Sequence, residues 1–414
     1  MKIAVIDPSL FTIPYDDALC DALAAQGCRP RLYGRRLRAG ESRSGTTPLD
    51  PFFYGLVERL DGRLPRRAFR VLKGGEHAVD MLRLHRRLAA LRPDIIHFQW
   101  APLPIIDRIA VAHLRRVAPV LLTVHDTTPF NGSPNEAVQA LGATSIFTAF
   151  DHLVVHTEAG KRQLAAHGLA AAQISVIPHG ALHLPGGNPP LPSAEVGETV
   201  ILAFGKIKPY KGTDLLIEAF AGLPEALRAR ARLRIVGEPF MPIAPLQERA
   251  RALGIADRIE WDLRYLRDAE IGGVIAAADI LAFPYRQIDA SGVLMAALSY
   301  GKPIVASAMG AFAELLRDGV HGRLVPPGDT KALGDALAEL IADPPRRAAM
   351  GEAVRSIAGV VPDWPEIGRR TLALYESLLA RRDAARGAAL SYGRKYPRSG
   401  RYRPRRDSSP TVPR

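Results

Sequence analysis

The stretch that decides the fold reads Ala203-Phe-Gly-Lys-Ile-Lys-Pro-Tyr-Lys-Gly-Thr-Asp214. Five apolar residues, 200–204, run into its first glycine, and apolar residues recur at helical spacing directly after it. This pattern predicts a strand, a basic turn and a helix. Such a turn, at the carboxyl end of a parallel strand, presents free backbone N–H groups and a helix dipole to an anion. Lys206 and Lys211 add two positive charges, so we expect a phosphate site here; the alternative is that two lysines in an exposed loop are merely solvated.

A second stretch follows the same order of strand, loop and helix. Residues 280–283, directly after Asp279, are apolar, and the helix after them is expected to begin at Ser291 and to end at Gly301, a favourable N-cap and a favourable C′ residue. The amides of Ser291, Gly292 and Val293 would then be free to bind a second phosphate oxygen or a sugar hydroxyl. Together the two stretches are expected to hold a diphosphate from two sides.

These stretches, together with Gly319-Val-His-Gly-Arg-Leu-Val-Pro-Pro-Gly-Asp329, resemble the C-terminal half of the family 4 (group 1) retaining glycosyltransferases. The resemblance spans roughly residues 94–340. It implies an α/β protein of GT-B architecture, in which two Rossmann-like, doubly wound domains face each other across a cleft. It also implies that the C-terminal domain binds the donor. The donor-side positions that follow from the two stretches and this resemblance are Gly205, Lys206 and Lys211 at the pyrophosphate, Ser291, Gly292 and Val293 opposite them, and Arg264, Tyr265 and Leu266 near the nucleoside base.

One departure from the family pattern concerns two glutamates that usually flank the glycine of the second motif. The later glutamate falls on Ala296 here, and the nearest acid on the other side is Asp289, which we assign to the donor site. Two alternatives to an active transferase therefore stay open. One is a catalytically impaired nucleotide-sugar-binding protein, and the other is a GT-B UDP-sugar isomerase.

The N-terminal half alternates strands and helices, as a doubly wound sheet does. Gln99 and Trp100 follow one buried strand, and His125 and Asp126 follow the next. The carboxyl ends of neighbouring parallel strands share one sheet edge, which faces the cleft. The resemblance places His125 beside the donor sugar as a catalytic residue, and we assign Gln99, Trp100 and Asp126 to the acceptor side.

The length of 414 residues suits two domains of ~150–190 residues with additions. A stretch dense in Pro and Gly marks the linker between them. The predicted segments are an N-terminal acceptor-binding domain (1–183), a linker (184–198), a C-terminal donor-binding domain (199–361), a terminal helix that crosses back to the first domain (362–385) and a disordered basic tail (386–414).

Composition also limits where the protein works. No apolar run approaches the ~20 residues that span a membrane, and residues 1–7 have the pattern of a strand and lack that of a signal peptide. Cys20 and Cys28 have no spacing typical of a disulfide framework or a zinc site. These features predict a soluble, cytoplasmic protein.

Two basic segments account for much of the net charge of +13. An insertion at about residues 34–75 carries a helical set, Arg66, Arg67, Arg70 and Lys73, which is either a surface for an anionic membrane or a solvated helix face. Residues 381–414 hold eleven Arg or Lys and two Asp, and they either hold the protein at the inner face of the cell membrane or act as a solubilising extension. A specific nucleic-acid partner is not expected, because phosphate affinity without base-reading elements is nonspecific.

The mechanism that fits is glycosyl transfer with retention through an oxocarbenium-like transition state. Lys206, Lys211 and the amides of the second motif would stabilise the charge that develops on the leaving phosphate. We expect no metal ion and no cofactor, since no Asp-x-Asp pair stands near these motifs. The expected substrates are a UDP- or GDP-linked sugar and a glycan or polyprenyl-linked acceptor, as in cell-surface polysaccharide biosynthesis.

Overall fold

The structure is a computed structural model, and it describes residues 1–38, 41–127, 143–182, 197–357, 359 and 361–395. The side chains of residues 66, 143, 144, 268 and 386–395 are outside this description. Most of the predicted linker and residues 396–414 of the predicted tail also lie outside the described residues. Among the described residues, no helix is long and apolar enough to cross a membrane.

The first sheet is parallel throughout and, in the described part of the chain, has the strand order β3-β2-β1-β4-β5-β6-β7. Its central strands are apolar on both faces and fully buried, as expected of a parallel sheet covered by helices. Its elements are β1 (Lys2–Ile6), α1 (Ile13–Ala25), β2 (Arg29–Arg35), β3 (Leu49–Phe53), α2 (Arg66–Leu91), β4 (Ile95–Phe98), α3 (Pro104–Leu114), β5 (Val120–Val124), α4 (Ala143–Phe147), β6 (His152–Val155), α5 (Glu158–Ala166) and β7 (Ile174–Val176).

The second sheet is also parallel, with the order β10-β9-β8-β11-β12-β13 within the described residues. Its elements are β8 (Thr199–Phe204), α6 (Thr213–Ala221), α7 (Glu225–Arg228), β9 (Ala231–Val236), α8 (Ala244–Ala252), β10 (Ile259–Asp262), α9 (Asp268–Ala276), β11 (Ile280–Phe283), α10 (Gly292–Ala297), β12 (Ile304–Ser307), α11 (Gly310–Leu315), β13 (Gly322–Val325), α12 (Thr330–Ala342) and α13 (Pro344–Ile357). Two doubly wound α/β sheets confirm the predicted fold class.

The insertion at about residues 34–75 contributes a strand that the sequence did not predict. β3 pairs in parallel with β2 at the edge of the first sheet, although it contains Pro51. Proline removes a ladder donor and is tolerated on an edge strand, so the sequence signal for this strand is weak. The helix after it, α2, is continuous through Gly74 and Gly75 and so extends beyond the predicted end of the insertion.

The last helix, α14 (Trp364–Lys395), begins close to the predicted position and extends past residue 385. The chain separates into a compact unit, Met1–Leu372, which holds both sheets, and the segment Ala373–Arg414. Within the first unit, the indole of Trp364 donates a hydrogen bond to the carbonyl of Ala181 (2.8 Å). The predicted domain boundaries stay predictions.

Candidate active site

The basic turn after β8 is built around Gly205, whose φ is +108°. A Cβ atom placed there would lie 2.7 Å from Nζ of Lys211 and 3.2 Å from Cγ2 of Val293. Only glycine avoids both the strained backbone and these contacts. The structure thus brings the basic turn and the second predicted motif together at one point.

The loop after β11 packs directly on this turn. Gly212 has a φ of +67°, and a Cβ atom there would lie 2.0 Å from the carbonyl oxygen of Pro284. Arg286 donates hydrogen bonds to the carbonyl of Pro209 (3.0 Å) and to the Asp214 carboxylate (2.8 Å). These contacts fix the position of one loop relative to the other.

Three lysines, two predicted and one not, form a cationic cluster at the turn. Burial, followed by the charges of Lys208 and Lys206, lowers the pKa of Lys211 to about 7. Desolvation also lowers the pKa of Lys208 and of Lys206, although the side chain of Lys206 stays exposed. Among the described residues, no carboxylate forms a salt bridge with any of the three. An anion that enters this cluster would relieve the repulsion between the lysines.

The N-terminus of α10 forms the second side of the candidate site, facing the basic turn. Ser291 is the N-cap, and its hydroxyl accepts a hydrogen bond from the N–H of Leu294 (3.1 Å). The N–H groups of Gly292 and Val293 lie in the first turn, where no helix carbonyl is available to accept from them. They are therefore suited to bind an anion.

His125 lies among two of the predicted acceptor-side residues. Its Nε2 is 3.2 Å from Oε1 of Gln99, and its ring is stacked on Trp100 with centroids 5.5 Å apart. Burial and the neighbouring histidines hold the pKa of His125 well below its ordinary value, so the ring is neutral at physiological pH.

The two predicted aspartates have different surroundings. Burial is the main cause that raises the pKa of Tyr210 to about 12, and the charge of Asp126 adds to it. The charge of Asp126 also acts to raise the pKa of Lys208, so Asp126 faces the basic turn. The carboxylate of Asp289 accepts hydrogen bonds from the backbone N–H and the hydroxyl of Thr127. Asp289 thus links the loop after β11 to the loop after β5.

The predicted base-side residues follow β10, two strands away from β8 in the sheet. Arg264 forms salt bridges with Asp262 (3.0 Å) and Glu270 (2.8 Å). Tyr265 is exposed, whereas Leu266 is buried. The charge of Arg264 is thus paired with carboxylates on and after β10.

The structure places further residues, not predicted from the sequence, beside the candidate site. His156 follows β6 and His179 lies shortly after β7, and both rings pack on Tyr15, as His125 does. The rule that selected His125, a polar residue directly after a buried strand, also selects His156. Lys208 stands within the first quoted stretch, between the two lysines that were chosen.

A metal site is not apparent in the part of the chain that the structure describes, where no group of three His, Cys, Asp or Glu side chains is arranged to hold an ion. The expectation that the reaction needs no metal stays a prediction.

Comparison with known proteins gives two family matches. A sequence model described as "Glycosyltransferase Family 4" matches residues 17–181, and one described as "Glycosyl transferases group 1" matches residues 192–357. The "D-inositol 3-phosphate glycosyltransferase" of Kineococcus radiotolerans is 31% identical over 62% of this chain and 64% of its own length. The "Phosphatidyl-myo-inositol mannosyltransferase" of Mycobacterium leprae is 34% identical over 44% of this chain and 47% of its own length.

The fold has a solved counterpart in Anabaena Alr3699/HepE in complex with UDP and glucose. That structure superposes with a TM-score of 0.66 at 19% identity, covering 91% of this chain and 100% of the other. The chain spans less than two thirds of the length of the curated relatives that it matches first, 64%, 64% and 62%. On the two family matches and the paired Rossmann-like sheets, the chain belongs to the family 4 (group 1) glycosyltransferases, with the GT-B fold.

Proposed function

We propose that the chain is a retaining glycosyltransferase that moves a hexose from a nucleoside diphosphate sugar to a hydroxyl acceptor. One observation carries the proposal: Lys211 and Val293 meet at Gly205, so a lysine cluster and a helix N-terminus converge on one point. The leaving group of this reaction is a diphosphate, and both elements stabilise negative charge.

The proposed roles follow from position. Lys206, Lys211 and the amides of Gly292 and Val293 bind the diphosphate and stabilise the charge that grows on it as the glycosidic bond breaks. His125 positions the donor sugar. Arg264, Tyr265 and Leu266 lie under the nucleoside base, Asp289 and Ser291 complete the donor side, and Gln99, Trp100 and Asp126 face the acceptor.

The donor and the acceptor are proposed by class. Alr3699/HepE was solved with UDP and glucose, which supports a UDP-linked sugar as the first donor to test, with GDP-linked sugars next. The names of the curated relatives support inositol phosphates as acceptors to test beside polyprenyl-linked glycans. The proposed setting is cytoplasmic assembly of cell-surface glycans.

The first experiment is a thermal-shift screen of UDP, GDP and their hexose conjugates, followed by assay of the responding donors for transfer and hydrolysis. We expect one nucleotide series to raise the Tm of the protein, and Lys211→Ala to lower kcat by ~10²-fold or more with a smaller change in donor KM. Lys331→Ala, on the exposed surface of α12, is the matched control and should change neither quantity. Absence of any nucleotide response would refute the proposal, and interconversion of the sugar nucleotide without transfer would favour an isomerase.

A second candidate is a nucleotide-sugar-binding protein with impaired turnover, favoured by the buried methyl group of Ala296 at the position where the resemblance implies a glutamate. If the site is intact, Ala296→Glu should fail to raise activity and should lower the Tm, because a carboxylate would be buried without a partner. Turnover that appears only in Ala296→Glu would instead identify a decayed site.

We also propose that α2 contacts an anionic membrane. Val71 (76% exposed), Val79 and Leu82 (67% exposed) lie on one face of the helix, flanked at helical spacing by the exposed Arg67 and Arg86. An apolar stripe between basic residues is typical of helices that lie in a membrane interface.

The structure alters the predicted basic face in one respect. The ammonium of Lys73 donates a hydrogen bond to Glu58 (2.8 Å) and lies 4.3 Å from the ring centroid of Tyr54. The charge of this lysine is therefore paired within the protein. The side chain of Arg66 lies outside the described residues. The exposed apolar residues therefore supply the stronger support for the membrane hypothesis.

Sedimentation with vesicles of phosphatidylglycerol and phosphatidylcholine, at low and high salt, tests this surface. We expect salt-sensitive binding that the double variant Val71→Glu, Leu82→Glu abolishes and that the exposed control Val320→Glu retains. A shortened protein that ends at Ala380 measures the contribution of the basic tail. Equal binding by the double variant would exclude α2, and no binding by any form would refute the membrane proposal.

A further inference from the structure

A chain of hydrogen bonds connects His125 to the backbone of the first sheet. Nδ1 of His156 lies 3.0 Å from the carbonyl oxygen of Ile177. A carbonyl oxygen can only accept, so this nitrogen of His156 carries the proton. The other nitrogen, Nε2, then has a lone pair, and it lies 3.2 Å from Nδ1 of His125.

We infer that His156 is a positioning residue, which holds His125 as the Nδ1–H tautomer with the lone pair of Nε2 on the side of Gln99. With the lone pair of His156 facing it, Nδ1 of His125 must donate. A neutral ring has only one N–H, so Nε2 of His125 is left as an acceptor.

The environment of Gln99 is consistent with this assignment once its amide is oriented by its hydrogen bonds. Within the described residues, the fully buried Nε2 of Gln99 has no partner, whereas Oε1 faces Nε2 of His125 at 3.2 Å. Amide oxygen and nitrogen are assigned from such networks. Exchanging them lets the Gln99 amide donate to His125, and every bond then runs in one direction, from Gln99 to Ile177.

The surroundings keep these rings neutral and fixed. Burial lowers the pKa of His156 to about 3, with the charge of His179 as a smaller cause, and burial lowers the pKa of His179 to about 4. Tyr15 contacts all three rings, with centroids 4.8 Å from His125, 5.2 Å from His156 and 5.0 Å from His179. A packed aromatic at the centre restricts ring rotation, so the tautomer is tied to one orientation.

The inference rests on the proposed function for its catalytic meaning. As an Nδ1–H tautomer, His125 has only an acceptor at Nε2, and in this structure that lone pair faces the Gln99 amide. A sugar hydroxyl that donates to Nε2 would take the place of this amide. His125 in this tautomer cannot donate from Nε2 to a leaving oxygen. His156 would then act on the reaction only through His125.

The direct test is NMR of the full chain labelled with ¹⁵N-histidine, in which the two ring nitrogens report the tautomer. His125→Gln identifies the His125 signals, and we expect a protonated Nδ1 and an unprotonated Nε2. In His156→Phe, which keeps an aromatic ring beside Tyr15 but removes the acceptor, His125 should shift towards the Nε2–H form. His156→Gln can accept and donate in the same places and should restore the original tautomer, whereas His179→Phe should leave it unchanged.

Kinetics on an identified donor give a second readout. His156→Phe should lower kcat roughly 10- to 100-fold, because a misoriented group loses its transition-state contact, with little change in donor KM. His156→Gln should recover most of this loss. An Nε2–H or doubly protonated His125 in the unsubstituted protein, or an unchanged tautomer in His156→Phe, would overturn the inference. Because the NMR experiment needs no donor, it separates this failure from failure of the proposed function.

Discussion

Raising the pH above 7 is expected to weaken the binding of UDP, which carries the full charge of the leaving group, because it removes the proton of Lys211 in the unliganded protein. Burial and the charges of Lys208 and Lys206 place the pKa of Lys211 at about 7. A bound diphosphate favours the charged lysine and so raises this pKa. Binding at pH 8 should then take up about 0.9 of a proton, the fraction of lysine that is neutral at that pH.

The size of the effect follows from the charged fraction. From about pH 8 upwards this fraction falls about tenfold for each pH unit, and apparent affinity falls with the fraction of protein that is competent to bind. The Kd for UDP should therefore rise about tenfold between pH 8 and pH 9. Calorimetry at each pH, in two buffers of different ionisation enthalpy, measures both the Kd and the proton uptake.

Two arginine variants isolate the residue. Lys211→Arg stays charged throughout this range, so its UDP affinity should be nearly independent of pH and its proton uptake near zero. Lys206→Arg changes an exposed lysine of the same cluster and should keep the full pH dependence. Proton uptake that persists in Lys211→Arg, or that is absent from the unsubstituted protein at pH 8, would refute this account of the cluster.

Two further predictions concern the backbone of the site and a buried acid pair. Gly212→Ala should lower the Tm and weaken UDP binding, because its Cβ would meet a backbone carbonyl at 2.0 Å. The control is Gly254→Ala, at a position with nearly the same φ (+68° against +67°) and nothing within 4 Å of the added Cβ. It should lower the free energy of unfolding by only the ~1–2 kcal/mol of backbone strain and leave UDP binding intact. Equal effects in both variants would contradict the proposed contact between the loops. Burial and the charge of Asp7 hold the pKa of Asp16 well above its ordinary value, so the stability that this acid provides is present below pH ~3.9 and is lost as pH rises through its raised pKa. Asp16→Asn should therefore raise the Tm at pH 7.5 but not at pH 3.5. A lower Tm of Asp16→Asn at pH 7.5 would contradict this reasoning, because it would mean that the charged carboxylate of Asp16 stabilises the fold.

The parts of the site that could be predicted from sequence depend on local signals. Residues 200–204 are apolar without interruption, which suits a strand covered on both faces, and Gly205 follows at the point where the backbone needs a positive φ. Ser291 caps α10 and Gly301 adopts a left-handed conformation (φ +58°), as the sequence indicated. Each of these features is determined by a residue and its immediate neighbours in the chain.

The parts that sequence could not supply depend on partners far along the chain. Lys73 has the spacing of a free basic face, but its charge is taken by Glu58, which lies on a separate element. Edge strand β3 contains a proline and an aspartate, which are both depleted in strands, so its assignment depends on pairing with β2. Helical spacing identifies which residues share a face, and only the packed structure identifies what that face meets.

Asp289 is the clearest case of this limit, because its neighbours in sequence and in space suggest different roles. Its position near the second motif makes it the nearest acid to a missing glutamate, and so a donor-side residue. In space its carboxylate bonds to Thr127, on the other half of the protein. Both donors bond to one oxygen, Oδ2, so a sugar hydroxyl would bind at Oδ1 of a carboxylate whose position is set by the opposite loop. Its contribution to donor binding is thus coupled to how the two halves meet, which no spacing within the motif encodes.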